Sequence, residues 1–278
     1  MNETERCSPA QNLRQGDIIK IFNVDTQQHP SLGVIINADC DLENNKLDGV
    51  IAYLPIFSFE EYLTKFWLRT FVASKLENSL KKFSSFLVYN DQEQSDLKDW
   101  LSSDPLEKVI AKLDPDISKL NSKNKTAAII ELTTLYKCLT ADLNNLEILT
   151  YFCELKKPAH NDAAIKMVLD AKKSMPDDHF FLSDIIDEKR IGFVIRMRRI
   201  YTIQADFCFR SEAEMRTKAT GTVTTAARKV RLTPLYQFKV AQLFASQYSR
   251  VGLPNDITDL GQLVIEDMAQ QFAGAIVC

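Results

Sequence analysis

Glycine, proline and histidine are scarce in this sequence, at 8, 9 and 3 of 278 residues. The first two scarcities exclude collagen-like and linker-like compositions. Three histidines, His29, His160 and His179, leave little scope for a histidine-rich metal centre. Six cysteines (Cys7, Cys40, Cys138, Cys153, Cys208, Cys278) stand far apart with no C-x-x-C pair, which argues against a zinc ribbon and against a disulfide scaffold. In a reducing compartment they read as small apolar fillers. No window holds the roughly 18 uncharged apolar residues that a bilayer span needs, and the opening MNETERCSPAQNLRQGD lacks the apolar core of a signal peptide. The expectation is a cytoplasmic protein without membrane contact.

The familiar chemical motifs are missing too. There is no G-x-x-x-x-G-K-[ST], no G-x-G-x-x-G, no H-E-x-x-H and no G-x-S-x-G, so phosphate-loop nucleotide binding, zinc proteolysis and serine hydrolysis are unsupported. ATGTVTTAARK has a single glycine and only a superficial likeness to a phosphate loop. No cofactor and no metal is expected.

What is present is a foldable chain, 45% hydrophobic and 26% charged, long enough for one large domain or two modest ones. Its net charge of −3 hides an asymmetry: eleven basic residues face three acids between Lys189 and Arg231. A block of that kind marks either a nucleic-acid or acidic-partner face, or a solvated strand surface whose charges pair within the chain. Arg196, Arg198, Arg228, Lys229 and Arg231 are its candidate binding residues.

Short Ile- and Val-rich runs open the chain: DIIKIFNV (Asp17–Val24), GVIINA (Gly33–Ala38) and GVIAYLPI (Gly49–Ile56). They read as strands, with Pro55 marking the end of the third or a sheet edge. At Phe57 the period changes. Ser58 and Glu61 form a capping box flanked by Phe57 and Tyr62, and Phe59, Leu63, Phe66, Trp67 and Phe71 follow at helical spacing. Asp104-Pro105-Leu106-Glu107 repeats the start signal, with Asp104 as cap and Pro105 at the first helical position. Ile129, Leu132, Tyr136 and Leu139 continue the helical period, and NDAAIKMVLDAKK adds another helix.

Strand signals return with HFFLSDI (His179–Ile185), the long GFVIRMRRIYTI (Gly192–Ile203) and KVRL (Lys229–Leu232). Thr233-Pro234 opens an amphipathic helix carrying Leu235, Phe238, Leu243, Phe244 and Tyr248, closed by Gly252 and Pro254, and a final helix follows over Asp259–Phe272. Residues 204–227 are hard to read, a mobile loop or a hairpin around Gly221. The pattern predicts an α+β fold: an antiparallel barrel begun by 1–56, interrupted by a helical insertion at 57–177, and completed with C-terminal helices by 178–278.

Two sites invite chemistry. In DCDLENNK, Asp39, Asp41 and Glu43 match the first alternate positions of a calcium loop, but Asn44 and Val50 replace the turn glycine and the bidentate glutamate. Flanking carboxylates also disfavour a Cys40 thiolate, so this stretch reads as a post-strand turn with Cys40 pointing inward. In GFVIRMRRIYTI, alternation puts Arg196 and Arg198 on one face and Arg199 among Phe193, Ile195, Met197, Tyr201 and Ile203. An arginine there must find a partner, pass through a bulge or line a cleft, because an unpaired buried charge is very unfavourable.

QGDIIKIFNV, HPSLGVIIN and IAYLPI resemble the opening of the MazF/PemK-type toxins, whose small SH3-like barrel begins with an R-G-D-I strand, a strand after Arg-Pro and a third ending in Pro-Ile. FVIRMRRIYTI and KVRLTPLYQFKVAQLFASQYSRVGLP are similar to that family's later strands and terminal helix. CDL after the second strand also resembles uncharacterised bacterial proteins of mobile and defence-associated islands. The helical block lies outside the toxin pattern.

The resemblance implies RNA cleavage by the arginine of Arg-Pro and by polar groups on a later strand. His29 stands at that arginine's position, before Pro30. His29 as base for the 2′-hydroxyl, Arg199 as phosphate stabiliser and Thr202 are the catalytic candidates, and the alternative for His29 is a plain turn histidine. Arg198, Arg199 and Thr202 would share the strand facing that cleft.

The reading favoured by the incomplete catalytic set is a non-catalytic interaction or regulatory protein of a bacterial antiviral-defence or toxin-antitoxin-like system. It would bind RNA or DNA through 189–231, or a partner protein encoded nearby, and a homodimer is one further form. The alternative is a divergent endoribonuclease toxin.

Overall fold

The computed structural model describes residues 2–22, 30–44, 46–156, 160–219 and 224–248. His29, the stretch around Gly221, the closing signals Gly252 and Pro254, and the expected helix over Asp259–Phe272 lie outside them. The chain divides into two compact units, one of Met1–Ile56, Asp178–Asp187 and Ile195–Cys278, the other of Phe57–Asp177 and Glu188–Val194.

The first unit holds the larger part of a mostly antiparallel, barrel-like sheet. The strands of that sheet are β1 (Thr4–Glu5), β2 (Asp17–Phe22), β3 (Leu32–Ile35), β4 (Val50–Ser58), β5 (His179–Leu182), β6 (Phe193–Arg196), β7 (Tyr201–Gln204), β8 (Cys208–Phe209) and β9 (Thr225–Leu232). They follow the order β1-β9-β2-β3-β4-β6-β5, with β7 added to β4 and β8 laid parallel to β9. The chain is therefore α+β. Ile19, Ile21, Ile35, Ile51, Tyr53 and Ile203 form its inner core. Gly33 is required there, since a Cβ would run into the Tyr53 ring.

Several local expectations are corrected. β4 runs through Pro55 to Ser58, with Pro55 opposite Gly33 of β3. The missing N–H is tolerated because the ladder to β7 ends at Tyr53 and β4 then changes neighbours to β6. The stretch after β3 is a short helix, α1 (Asp39–Glu43). Cys40 is exposed on it, while Leu42 is the α1 residue that packs on the core and part-buried Asp39 accepts the Gln15 N–H at 2.8 Å. Residues 204–219 contain a 3₁₀ turn, β8 and a capped helix that follows Ser211.

The long strand expected over 192–203 is two strands, β6 and β7, separated by a turn at 197–200. Met197 is fully buried in that turn and its N–H donates to the Asp178 carbonyl at 2.9 Å. Continuous apolar alternation had concealed the break.

The second unit is helical: α2 (Phe59–Tyr62), a π-helical turn (Leu63–Trp67), α3 (Leu68–Leu87), α4 (Asp91–Ser103), α5 (Leu106–Ile117), α6 (Ser122–Leu139), α7 (Glu147–Glu154) and α8 (His160–Lys173). Ser58 and Glu61 make the reciprocal capping box, which satisfies two otherwise orphaned N–H groups. Arg190 returns to donate to Ser58 Oγ at 3.2 Å, and Phe59 N–H donates to Gly192 O at 2.8 Å. One core joins Phe83, Leu97, Leu101, Leu113, Leu132 and Leu135, and a second joins Leu68, Val72, Cys138, Ile148 and Phe152. At Asp104 the expected cap is displaced by one residue. Pro105 precedes α5, while the Asp104 carboxylate takes Lys108 and Lys112.

Helix α9 (Glu212–Lys218) precedes β9, and α10 (Pro234–Tyr248) follows it. Among the described residues no helix is long and apolar enough to cross a membrane.

Candidate functional site: a braced arginine turn

The basic block separates into two groups of arginines with opposite surroundings. On β9, Arg228 and Arg231 are 4% and 9% exposed. Arg231 Nε and Nη2 donate to the two oxygens of the fully buried Asp17 carboxylate at 2.6 and 3.1 Å. Arg228 reaches Asp17 at 3.4 Å and donates to the carbonyls of Ser8, Gln11 and Asn12. These two residues are therefore not a binding face. A buried guanidinium must have its donors satisfied, and here the N-terminal loop and Asp17 satisfy them.

Other members of the block are also engaged. Lys229 donates to the Asp187 carbonyl at 3.0 Å. Arg210 and Lys218 both bind Glu214, and their hydrogen bonds hold that carboxyl down at about 2. Arg216 lies 3.6 Å from Glu212. The partners of these residues include Asp17, the Asp187 carbonyl and the block's own Glu212 and Glu214.

The other group is presented by the turn between β6 and β7. Met197 anchors it from below, and Arg198, Arg199 and Ile200 are exposed. Arg198 Nε bonds Asp178 Oδ2 at 2.7 Å while 71% of its side chain stays open to solvent. Asp178 is buried, and its other oxygen lies 2.8 Å from His179 Nδ1. Arg196 Nε donates to His179 Nε2 at 3.1 Å.

Because an arginine N–H can only donate, Nε2 must be the acceptor, so the hydrogen is on Nδ1 and the ring is neutral. Burial, foremost, lowers the His179 pKa. Asp178 opposes that shift, and the charges of Arg196 and Arg198 reinforce it.

Arg199 is turned outward, which resolves the problem of an arginine on an apolar face. Its guanidinium lies 4.8 Å from the Tyr201 ring centroid, a cation–π contact of about 0.5–1 kcal/mol at an exposed position. Tyr201 stacks on Tyr53 at 5.7 Å, and burial pushes the Tyr53 hydroxyl up to about 12. Thr202 is exposed, whereas Tyr201 and Ile203 pack on the core. Alternation thus puts Thr202 on the face of β7 opposite the ring that carries Arg199. The expected joint cleft of Arg198, Arg199 and Thr202 is not formed.

Sequence reasoning missed Asp178 and His179. An acid and a histidine immediately before an apolar strand were the available signal, and only the pairing of β5 with β6 brings them under the arginines. Among the described residues no group of histidines, cysteines and acids could hold a metal ion. No family model, no curated protein and no solved structure matches this chain.

Proposed function

We propose that this chain is a non-catalytic interaction protein that binds the phosphate backbone of a nucleic acid through Arg198 and Arg199, and that it serves as a regulatory subunit of a bacterial defence or toxin-antitoxin-like system. The barrel is read as SH3-like, of the MazF/PemK kind, on the residues that resemble that family. The observation that carries the binding reading is the pair of exposed guanidiniums on one short turn, one braced by buried Asp178 and the other by Tyr201. Braced arginines lose less side-chain freedom on binding, and their planar donors suit phosphate oxygens.

A second reading, a divergent endoribonuclease, is favoured by one observation: a neutral histidine oriented by an aspartate beneath an exposed arginine. Against it, His179 Nε2 already accepts from Arg196 and the side chain is 6% exposed. A substrate hydroxyl would have to displace Arg196 to reach the base.

The test is RNA and DNA binding measured across a salt series. Phosphate neutralisation releases counterions, so affinity must fall with salt and fall further in the Arg198→Ala/Arg199→Ala double variant. Salt-insensitive capture of a protein instead would remove the nucleic-acid reading. Degradation of total RNA on expression, abolished by His179→Ala, would install the nuclease.

A further inference from the structure

The helical unit contains a cleft of about 1210 Å³ between α3, α6, α7 and α8, larger than the roughly 300–1,000 Å³ of ordinary small-molecule pockets. Its floor is aromatic. Trp67, at the end of the π-helical turn, and Phe71 one turn later stack at 4.5 Å, and Phe152 meets Phe71 edge-on at 5.3 Å. Ser79 and Thr134 are the buried polar side chains of the lining, and the Thr134 hydroxyl is satisfied by the Ile130 carbonyl and the Tyr151 hydroxyl, both at 2.8 Å. The floor therefore offers an occupant apolar contact.

The rim has a charge bias, with five lysines against three acids. Lys82 is matched by Glu131 at 3.1 Å, and Lys81 by Glu77 at 2.6 Å. Lys75, Lys156 and Lys166 have no ion pair among the described residues. Lys75 instead holds its ammonium 5.1 and 5.8 Å from the Phe71 and Phe152 centroids. Two carboxylates, Asp162 and Asp170, lie one turn to either side of Lys166 and leave the rim net positive.

We propose that this cleft docks an acidic amphipathic helix of a partner protein, its apolar stripe on the aromatic floor and its carboxylates on Lys75, Lys156 and Lys166. Grooves walled by helices take a helix through apolar anchors at i, i+3, i+4 and i+7. Lysines without an ion pair among the described residues select for acidic flanks. A single-stranded nucleic acid fits less well, because it needs open aromatic faces for stacking and Phe71 is already engaged by Trp67, Phe152 and Lys75. This inference concerns the helical unit and shares no residue with the arginine turn.

The test uses the full chain and a labelled synthetic peptide of about 20 residues with Leu at helical spacing and Glu between, beside the same peptide with Gln for Glu. The expected result is anisotropy binding at least about tenfold tighter for the Glu peptide, weakening with salt. Lys75→Glu places a carboxylate against two rings and endangers the fold, so exposed Lys166→Glu carries the test, with an expected affinity loss of about tenfold and an unchanged thermal transition. No binding of the Glu peptide, equal binding of the two peptides, a Lys166→Glu variant that binds like the wild type, or displacement by oligouridylate would each overturn the proposal. Arg198→Ala/Arg199→Ala must leave peptide binding unchanged while weakening RNA binding, so the two readings fail separately.

Discussion

Arg228 and Arg231 on β9 and Arg198 and Arg199 on the turn are the same residue type from the same basic block, and the fold uses them in opposite ways. The β9 pair closes on a buried carboxylate and three loop carbonyls, so it fastens residues 8–17 to the sheet. The turn pair faces solvent over a buried support. Counting cations in a sequence therefore overstates an interface, because each guanidinium satisfied inside is unable to bind outside. Exposure and the identity of the bracing group decide which cations can bind, and neither is a property of composition.

The comparison is broken most severely at Asp17. Asp17→Ala leaves two buried guanidiniums without their carboxylate and should cost about 3–5 kcal/mol, read from chemical denaturation. A loss below about 1 kcal/mol would place the β9 arginines with ordinary surface pairs. Arg231→Lys keeps the charge but gives up the two-atom grip on Asp17. It should cost about 1.5–3 kcal/mol by the same measurement.

A smaller effect separates the support of the turn from the turn itself. The folded-state His179 pKa lies below its ordinary 6.5, so between those two values the unfolded chain binds more protons than the folded one. The contribution of neutral His179 is fully present above about 6.5 and is lost as pH falls from there through the folded-state pKa. His179→Gln should flatten that part of a stability–pH profile. An unchanged slope would show that other groups cause it.

The smallest stability effect is expected at the turn. Arg199→Ala alone should stay within about 0.5 kcal/mol of the wild type, because that side chain is exposed and is braced by the Tyr201 ring, whereas Arg198→Ala also takes a donor from the buried Asp178 carboxylate and costs more. Arg199→Ala should also lower the salt slope of RNA binding by about one for each phosphate that is no longer neutralised. Its signature is thus the reverse of the one at Asp17, with binding changed and stability kept.

The parts of the fold that were legible in the sequence are those written in local chemistry. Ser58 with Glu61 marked the onset of the helices, as the capping box in the structure shows, and the strand cores around Ile18, Val34 and Leu54 followed from their apolar runs. What escaped was non-local. Met197 sits in a turn although its neighbours alternate like a strand, since the distant Asp178 carbonyl takes its N–H. Arg228 and Arg231 looked like surface cations because their partner, Asp17, lies more than two hundred positions away. Cys40 was expected inside because no local rule showed that the stretch would coil into a short helix with Leu42 packed on the core.

The long reach from Asp17 to Arg231 also bears on the order in which this chain can assemble. Strand β2 finds its β9 neighbour only after a sequence separation of 214 has been spanned, whereas α3 through α6 pack among near neighbours. Loop closure over such a distance is entropically slow, and local helical contacts form early. On a ribosome, β2, β3 and β4 emerge first and must wait for the last described strand, with the helical unit folding in the interval. During that wait β2, already neighboured by β3, displays an open Ile-rich edge where β9 will add, the kind of surface a chaperone would hold.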